Sequence, residues 1–194
     1  MNEYTGFSQH IAQTTITLAQ SGDSDAMEAI YTMYANPCFS LAMRITANQE
    51  VAKDIVHNVF VKVMKNIQTF KHSGSFAGWV RKIAVNESIA FIQKNAKYSH
   101  EAELADKVYE NATEIQALEQ KSRFDFRWWE TCHDLQKMTQ KLSAQARTIL
   151  FLHEVEGYSH KEIASFFGKS ESFSKQSLAR TIRLLQRINT INEV

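Results

Sequence analysis

Glycine and proline are in short supply along this chain, with six glycines and one proline in 194 residues. A β-sandwich or barrel of this length reverses direction about every 8–12 residues and needs turn chemistry at each reversal. So few turn residues cannot provide it, and the expected fold class is all-α. Hydrophobic residues make up 44% and charged residues 22%, enough to bury a core and too apolar for compositional disorder. At about 150 residues per domain the length suits one domain or two small ones. No run approaches the roughly 18 apolar residues that cross a bilayer, so no membrane insertion is expected. Residues 1–20 lack Lys and Arg, and Gln and Thr break up their apolar positions, which is not a secretory signal. Cys38 and Cys132 are too few for a disulfide framework or a metal knuckle. A reducing, cytoplasmic setting is the simplest reading.

Charge is unevenly spread around a net +1. Residues 1–24 carry −2, residues 25–95 carry +3, residues 96–141 carry −2 and residues 142–194 carry +2. Two basic blocks flank an acidic middle, and clustering of basic groups matters more for nucleic acid than the total.

The spacing predicts three helices in the first basic block. Ser24 or Asp25 can cap the first, with Glu28 completing a capping-box pattern. Its apolar face is Met27, Ile30, Tyr31, Tyr34, Cys38, Leu41, Ala42 and Ile45. Pro37 falls within this run and is expected to kink or break it. Asn48 caps a second helix with Val51, Ile55, Val56, Val59, Phe60, Val63, Met64 and Ile67 buried. A polar loop, Lys71-His72-Ser73-Gly74-Ser75, leads to a third carrying Phe76, Trp79, Val80, Ile83, Ala84, Ile89 and Ile92. Residues 96–123 are polar and read as a linker. Helical spacing resumes at Phe124 and runs through Trp128, Trp129, Leu135, Met138 and Leu142. The expected organisation is an N-terminal segment 1–24 with a short helix, a helical module 25–95, a linker 96–123 and a helical module 124–194.

Residues 143–187 are the most informative. Ser143 can cap a helix through Ile149, Leu150, Leu152 and Val155 that ends at Gly157. Ser159-His160-Lys161-Glu162 is a capping box opening a short helix with Ile163, Ala164, Phe166 and Phe167. Gly168-Lys169-Ser170 makes a tight turn, and Ser170 caps a last helix to about Arg187. A short helix, a glycine turn and a longer helix form the helix-turn-helix pattern. From Lys169 to Arg187 five basic residues and one acid give +4. Phe173, Leu178, Ile182 and Leu185 would face the core. Ser172, Lys175, Gln176, Ala179 and Arg180 would then point outward, where such a helix enters the major groove. Lys and Arg suit guanine edges and Gln suits adenine, while hydroxyl and basic groups further along hold phosphate. The competing reading is a solvated basic face complementing the helix dipole.

The whole pattern resembles the extracytoplasmic-function (ECF) sigma factors of bacterial RNA polymerase. In the first module the matching residues are Asp54 to Phe60, Phe70, Ser75-Phe76, Trp79, Ile83-Ala84 and Asn86. In the second they are Leu142, Arg147, Leu152, Glu154 to Ser159, Glu162-Ile163-Ala164, Gly168, Ser170-Glu171 and Lys175. The resemblance implies that Asp54, Ile55, His57, Asn58 and Phe60 grip core RNA polymerase. It implies that Lys71, His72, Ser73, Ser75, Trp79, Arg81, Lys82 and Asn86 open and hold the minus-ten promoter DNA. Lys62 and Lys65 would add backbone-tracking charge. It further implies that Ser170, Ser172, Lys175, Gln176, Ala179, Arg180 and Arg183 read the minus-thirty-five element. An anti-sigma factor is the expected regulator, with Phe124, Phe126, Trp128 and Trp129 either packing in the second module or forming its docking surface. Phe70, Phe76 and Trp79 could stack on bases, yet aromatics at helical spacing also build cores. Asn86 could likewise make a core hydrogen bond.

Several positions depart from the family pattern. His57 and Asn58 stand where Gln and an acid are usual, and Lys53 replaces a common acid, so the polymerase-facing surface is less acidic. Ser172, Phe173-Ser174, Ser177 and Ile182 replace a usual Gly, Thr-Val and two arginines. Losing two phosphate-directed charges flattens the log–log salt dependence by about 0.9 each.

Other chemistry finds little support. His153-Glu154 lacks a second histidine four positions on, and His160-Lys161-Glu162 lacks a following cysteine pair. His57, His72 and His133 are scattered. The glycines form neither a dinucleotide fingerprint nor a P-loop, and Cys132 beside His133 points to a different helix face. No metal or cofactor is expected, nor enzymatic activity by the chain itself. Two other readings stay open: a sigma-like mimic that sequesters an anti-sigma protein, and a polymerase-independent helix-turn-helix regulator.

Overall fold

A computed structural model of the chain describes residues 6–71, 73–96, 139 and 142–192. Among these every regular element is helical, and the chain divides into two compact units, Met1–Phe91 and Ile92–Val194. Residues 97–123 of the predicted linker lie outside the described residues, as do Phe124, Phe126, Trp128, Trp129, Cys132, His133, Leu135 and Met138.

The first unit begins ahead of residue 25. Helix α1 (Gln13–Gln20) has no side-chain N-cap, and tertiary packing holds it through buried Ile16 and Ala19. Helix α2 (Ser24–Thr46) is capped by Asp23, whose carboxylate accepts from the Ala26 amide at 2.8 Å. The cap predicted at Ser24 or Asp25 is thus corrected by one or two positions. Asp23 is the last residue with extended backbone, and Asp25 sits inside the first turn, where its charge suits the dipole.

Pro37 does not break α2; the helix runs through it for 23 residues. An interior proline costs about 3 kcal/mol and one backbone hydrogen bond. Ile30, Tyr34, Cys38, Leu41, Ala42 and Ile45, all buried on this helix, offset that cost at roughly 1.5–3 kcal/mol for each large side chain. The proline ring is itself covered by the N-terminal segment. Gly6 lies at φ +70° against it, and a Cβ there would come 3.0 Å from Pro37 Cγ.

Asn48 caps helix α3 (Gln49–Asn66), accepting from the Glu50 and Val51 amides at 3.0 and 3.2 Å. A 3₁₀ turn (Ile67–Thr69) and the polar loop lead to helix α4 (Phe76–Ala96). Tyr34 is fully buried at the centre, its ring near those of Phe7 and Phe76 and its hydroxyl donating to the Gln9 carbonyl at 3.1 Å. Cys38 is equally buried, and burial pushes its thiol up to about 12, so it fills space and does no chemistry. Several residues predicted for the core are not fully in it: Met27, Val51 and Ile83 are half-buried. Tyr31 and Met64 are 50% and 59% exposed, with the Tyr31 ring leaning on Phe60 at 4.7 Å.

In the second unit, helix α5 (Ala144–Glu154) starts at the Ser143 cap and stops short of Gly157. Helix α6 (His160–Phe167) opens on the predicted capping box, both reciprocal bonds between Ser159 and Glu162 being present. It closes on Gly168 at φ 64°, where the Lys169 amide donates back to the Ala164 carbonyl at 2.9 Å. An L side chain would be strained at that φ, and glycine makes the turn cheap. Helix α7 (Glu171–Asn192) follows, with the Ser170 hydroxyl accepting from the Phe173 amide at 3.3 Å. Ile149, Leu152, Ile163, Leu178 and Leu185 form the core of this unit.

Candidate polymerase and nucleic-acid interfaces

Along α3, Asp54, His57 and Asn58 are exposed and share one face at helical spacing. Ile55 and Phe60, predicted to touch the polymerase with them, are buried at 2% and 6% exposure. They lie on the buried side of the helix and hold it against its neighbours, so they are corrected from contact residues to core. Lys53 pairs with Glu50 at 2.8 Å on the surface, a contact worth little in water. Lys62 is paired with Glu87 across α3 and α4, so its charge is neutralised locally.

Lys71, Ser73 and Ser75 of the polar loop are exposed, and His72 lies outside the described residues. Ser75 also accepts a hydrogen bond from the Gly78 amide at 3.2 Å, capping the start of α4. From there Ser75, Trp79, Lys82 and Asn86 recur every three or four residues, which places them on one stripe. Arg81, two positions from Trp79, is off that stripe. Phe70, Phe76 and Trp79 form a mutual aromatic cluster with centroids 5.1–5.6 Å apart. Phe76 is buried and belongs to the core, whereas Phe70 and Trp79 are half-buried and keep an edge outside. Asn86 is exposed, which answers the alternative of a core hydrogen bond. Beside the loop is a cleft of about 180 Å³, with His10, Ile11 and Gln13 on one side and Phe70, Gly74 and Ser75 on the other.

The outward side of α7 gathers the residues predicted to read duplex DNA. Ser170, Ser172, Lys175 and Gln176 are exposed, and Ala179, Arg180 and Arg183 are half-buried. Lys175 shares its charge with Glu171 at 3.1 Å. The inward side differs from expectation. Ser174, Leu178, Thr181 and Leu185 are the buried row, and Phe173 and Ile182 only flank it. Apolar periodicity favours the large side chains, but the two small hydroxyl residues bury because both are satisfied. Ser174 Oγ lies 3.0 Å from His160 Nδ1, and Thr181 Oγ1 donates to the Ser177 carbonyl at 2.8 Å.

His160 stacks on His153 with centroids 4.3 Å apart, a contact that neither histidine's local motif indicates. Among the described residues no cluster of three or more His, Cys, Asp or Glu could hold a metal ion. Burial lowers the His160 pKa, and His153 and Lys175 lower it further against the opposing pull of Glu171 and Glu154. Between its lowered folded value and about 6.5, the unfolded chain binds more protons than the folded one. Stability from this group is therefore full above about pH 6.5 and is lost as the pH falls towards the folded value. Thermal unfolding followed from about pH 7.5 to 5 should show a decline that His160→Asn makes shallower. An unchanged slope in the variant would remove His160 as its source.

The Sigma-70 region 2 family model matches residues 30–98, and the Sigma-70, region 4 model matches residues 132–185. The chain is 26% identical over 159 residues to the ECF RNA polymerase sigma factor SigE of Mycolicibacterium smegmatis, spanning 79% of this chain and 59% of that one. It is 27% identical over 161 residues to the RNA polymerase sigma factor YlaC of Bacillus subtilis, spanning 80% of this chain and 87% of that one. Among solved structures, the sigma factor RpoE of Bartonella quintana, crystallised with the anti-sigma factor NepR, shares the fold. Its TM-score is 0.53 at 19% identity, over 84% of this chain and 96% of that one. Two Sigma-70 region models thus match successive stretches of the sequence, and the chain belongs to the ECF subfamily of RNA polymerase sigma factors.

Proposed function

We propose that this chain binds core RNA polymerase and directs it to a two-part promoter, with the first unit opening DNA and the second anchoring on duplex. The observation that carries the reading is a pair of largely polar, exposed to half-buried helix faces, one on each family-matched unit. Ser75, Trp79, Lys82 and Asn86 line the first beside the loop, and Ser172, Lys175, Gln176, Ala179, Arg180 and Arg183 line the second. Opening DNA requires unstacking at a few kcal/mol per base. Half-buried Phe70 and Trp79 supply aromatic edges for freed bases, and Lys71 and Lys82 supply charge for the backbone. Asp54, His57 and Asn58 are the exposed α3 residues we assign to the polymerase. RNA synthesis itself belongs to the polymerase. An anti-sigma protein is the regulator we assign, in keeping with the complex formed by the solved relative. No helix among the described residues is long and apolar enough to cross a membrane, and the proposed work is done where polymerase meets DNA, in the cytoplasm.

Co-elution of the purified chain with sigma-free core polymerase tests the first half. Clean separation of a folded chain would favour a mimic that binds only an anti-sigma protein. Footprinting without polymerase tests the independent-regulator reading, which predicts a protected site where a sigma factor alone protects little. Deleting Lys71–Ser75 or making Asn86→Ala should impair promoter opening more than core binding. Equal opening by these variants would overturn the loop assignment.

A further inference from the structure

The region 2 match begins at residue 30, yet the loop assigned to promoter opening is held from ahead of that point. The side-chain amide of Gln20, at the end of α1, donates to the carbonyls of Ile67 and Phe70 at 2.9 and 3.1 Å. These carbonyls bracket the 3₁₀ turn, and the second is the one immediately before Lys71. The Ile67 carbonyl also accepts from the Phe70 amide at 3.1 Å, closing the turn on itself, and the donor supplied by Gln20 from a distant element ties that turn to α1. The same segment forms the other side of the cleft through His10, Ile11 and Gln13. That segment is itself anchored, because Tyr34 donates to the Gln9 carbonyl and Phe7 is buried beside it.

We propose that Gln20 is a positioning residue for the promoter-opening loop, and that residues 7–20 are a working part of the DNA-opening surface. This rests on the sigma-factor reading above. Gln20 touches no DNA in this scheme. Its two donors hold the start of the loop against α1, so that Phe70, Gly74 and Ser75 face the cleft before DNA arrives. A loop free to sample other conformations binds more weakly by the fraction of time it spends out of place. The cleft is of the order that holds a single aromatic ring, since a cavity of about 150 Å³ takes benzene.

Two replacements separate the donors from the bulk of the side chain. Gln20→Met keeps the length and offers no donor, and Gln20→Glu turns two donors into acceptors facing two carbonyls. In the free full-length chain, amide hydrogen exchange across the loop should rise roughly ten- to thirtyfold in both variants, the scale of two modest hydrogen bonds. The amides of α2 and α3 should exchange as in the wild type. With core polymerase, binding to a single-stranded minus-ten oligonucleotide should weaken by a similar factor, while core affinity stays the same. Unchanged loop exchange in both variants would overturn the proposal. Exchange that accelerates equally throughout the unit would also overturn it, because Gln20 would then be merely structural. If the wild type fails to bind core polymerase, the sigma reading fails, and the exchange experiment still decides whether Gln20 fixes the loop.

Discussion

Alanine at Tyr34 is expected to unfold the first unit, or nearly so. The residue has no exposed surface, its ring meets Phe7 and Phe76, and its hydroxyl holds the Gln9 carbonyl. Removing a buried aromatic side chain costs about 3–5 kcal/mol in transfer and cavity terms. A small unit has about 5–15 kcal/mol in total, and one of this size sits towards the lower end. At about 4–8 °C per kcal/mol, the midpoint of the first unit should fall by more than about 12 °C. Tyr34→Phe isolates the hydroxyl and should cost only about 1 kcal/mol. Burial also raises the phenol pKa, so the hydroxyl remains a donor through the neutral range. Differential scanning calorimetry of the full chain checks both variants. A fall below about 5 °C for Tyr34→Ala would mean that the core collapses around the gap and that Tyr34 is not its centre.

The second large effect concerns duplex DNA. Replacing Lys175, Arg180 and Arg183 together with alanine should flatten the log–log salt dependence of holoenzyme binding by about 2.7, at 0.9 for each phosphate-directed charge. Lys175 is the discounted member, since Glu171 already shares its charge at 3.1 Å. If one of the three makes a base contact, discrimination of that base pair weakens by a further 1–3 kcal/mol or so. All three lie outside the buried row of α7, so circular dichroism should be unchanged. The measurement is anisotropy of a labelled duplex, selected with wild-type holoenzyme, across a salt series. An unaltered slope would mean that this face of α7 does not meet DNA.

Where local chemistry was self-contained, the sequence was easy to read. Ser159 with Glu162, Gly168 and Asn48 each act within four residues, and each cap formed where its spacing required. Errors arose where tertiary packing decides. Of the kink or break that Pro37 suggested because local propensity opposes it, the break does not occur, since the buried row around it outweighs one missing hydrogen bond. Ile55 and Phe60 came into the polymerase-facing set through a contiguous motif, although consecutive helical residues point different ways. Ser174 and Thr181 escaped notice as core because their burial depends on partners such as His160, which no apolar pattern reveals. Gln20 left no trace of its own, since its acceptors Ile67 and Phe70 are 47 and 50 positions away.

The contact between Gly6 and Pro37 bears on how modules of such proteins can be exchanged. A chimera joined at residue 30 would carry α3, the loop and most of α2 into a new host. It would leave behind the glycine that covers the proline, the Phe7 ring beside Tyr34 and the amide that holds Phe70. An alanine at position 6 shows the same dependence in miniature, because its Cβ would meet Pro37 Cγ at 3.0 Å from a left-handed backbone. The transferable unit therefore starts no later than Gly6, and a graft cut at the family boundary would inherit the loop without its frame.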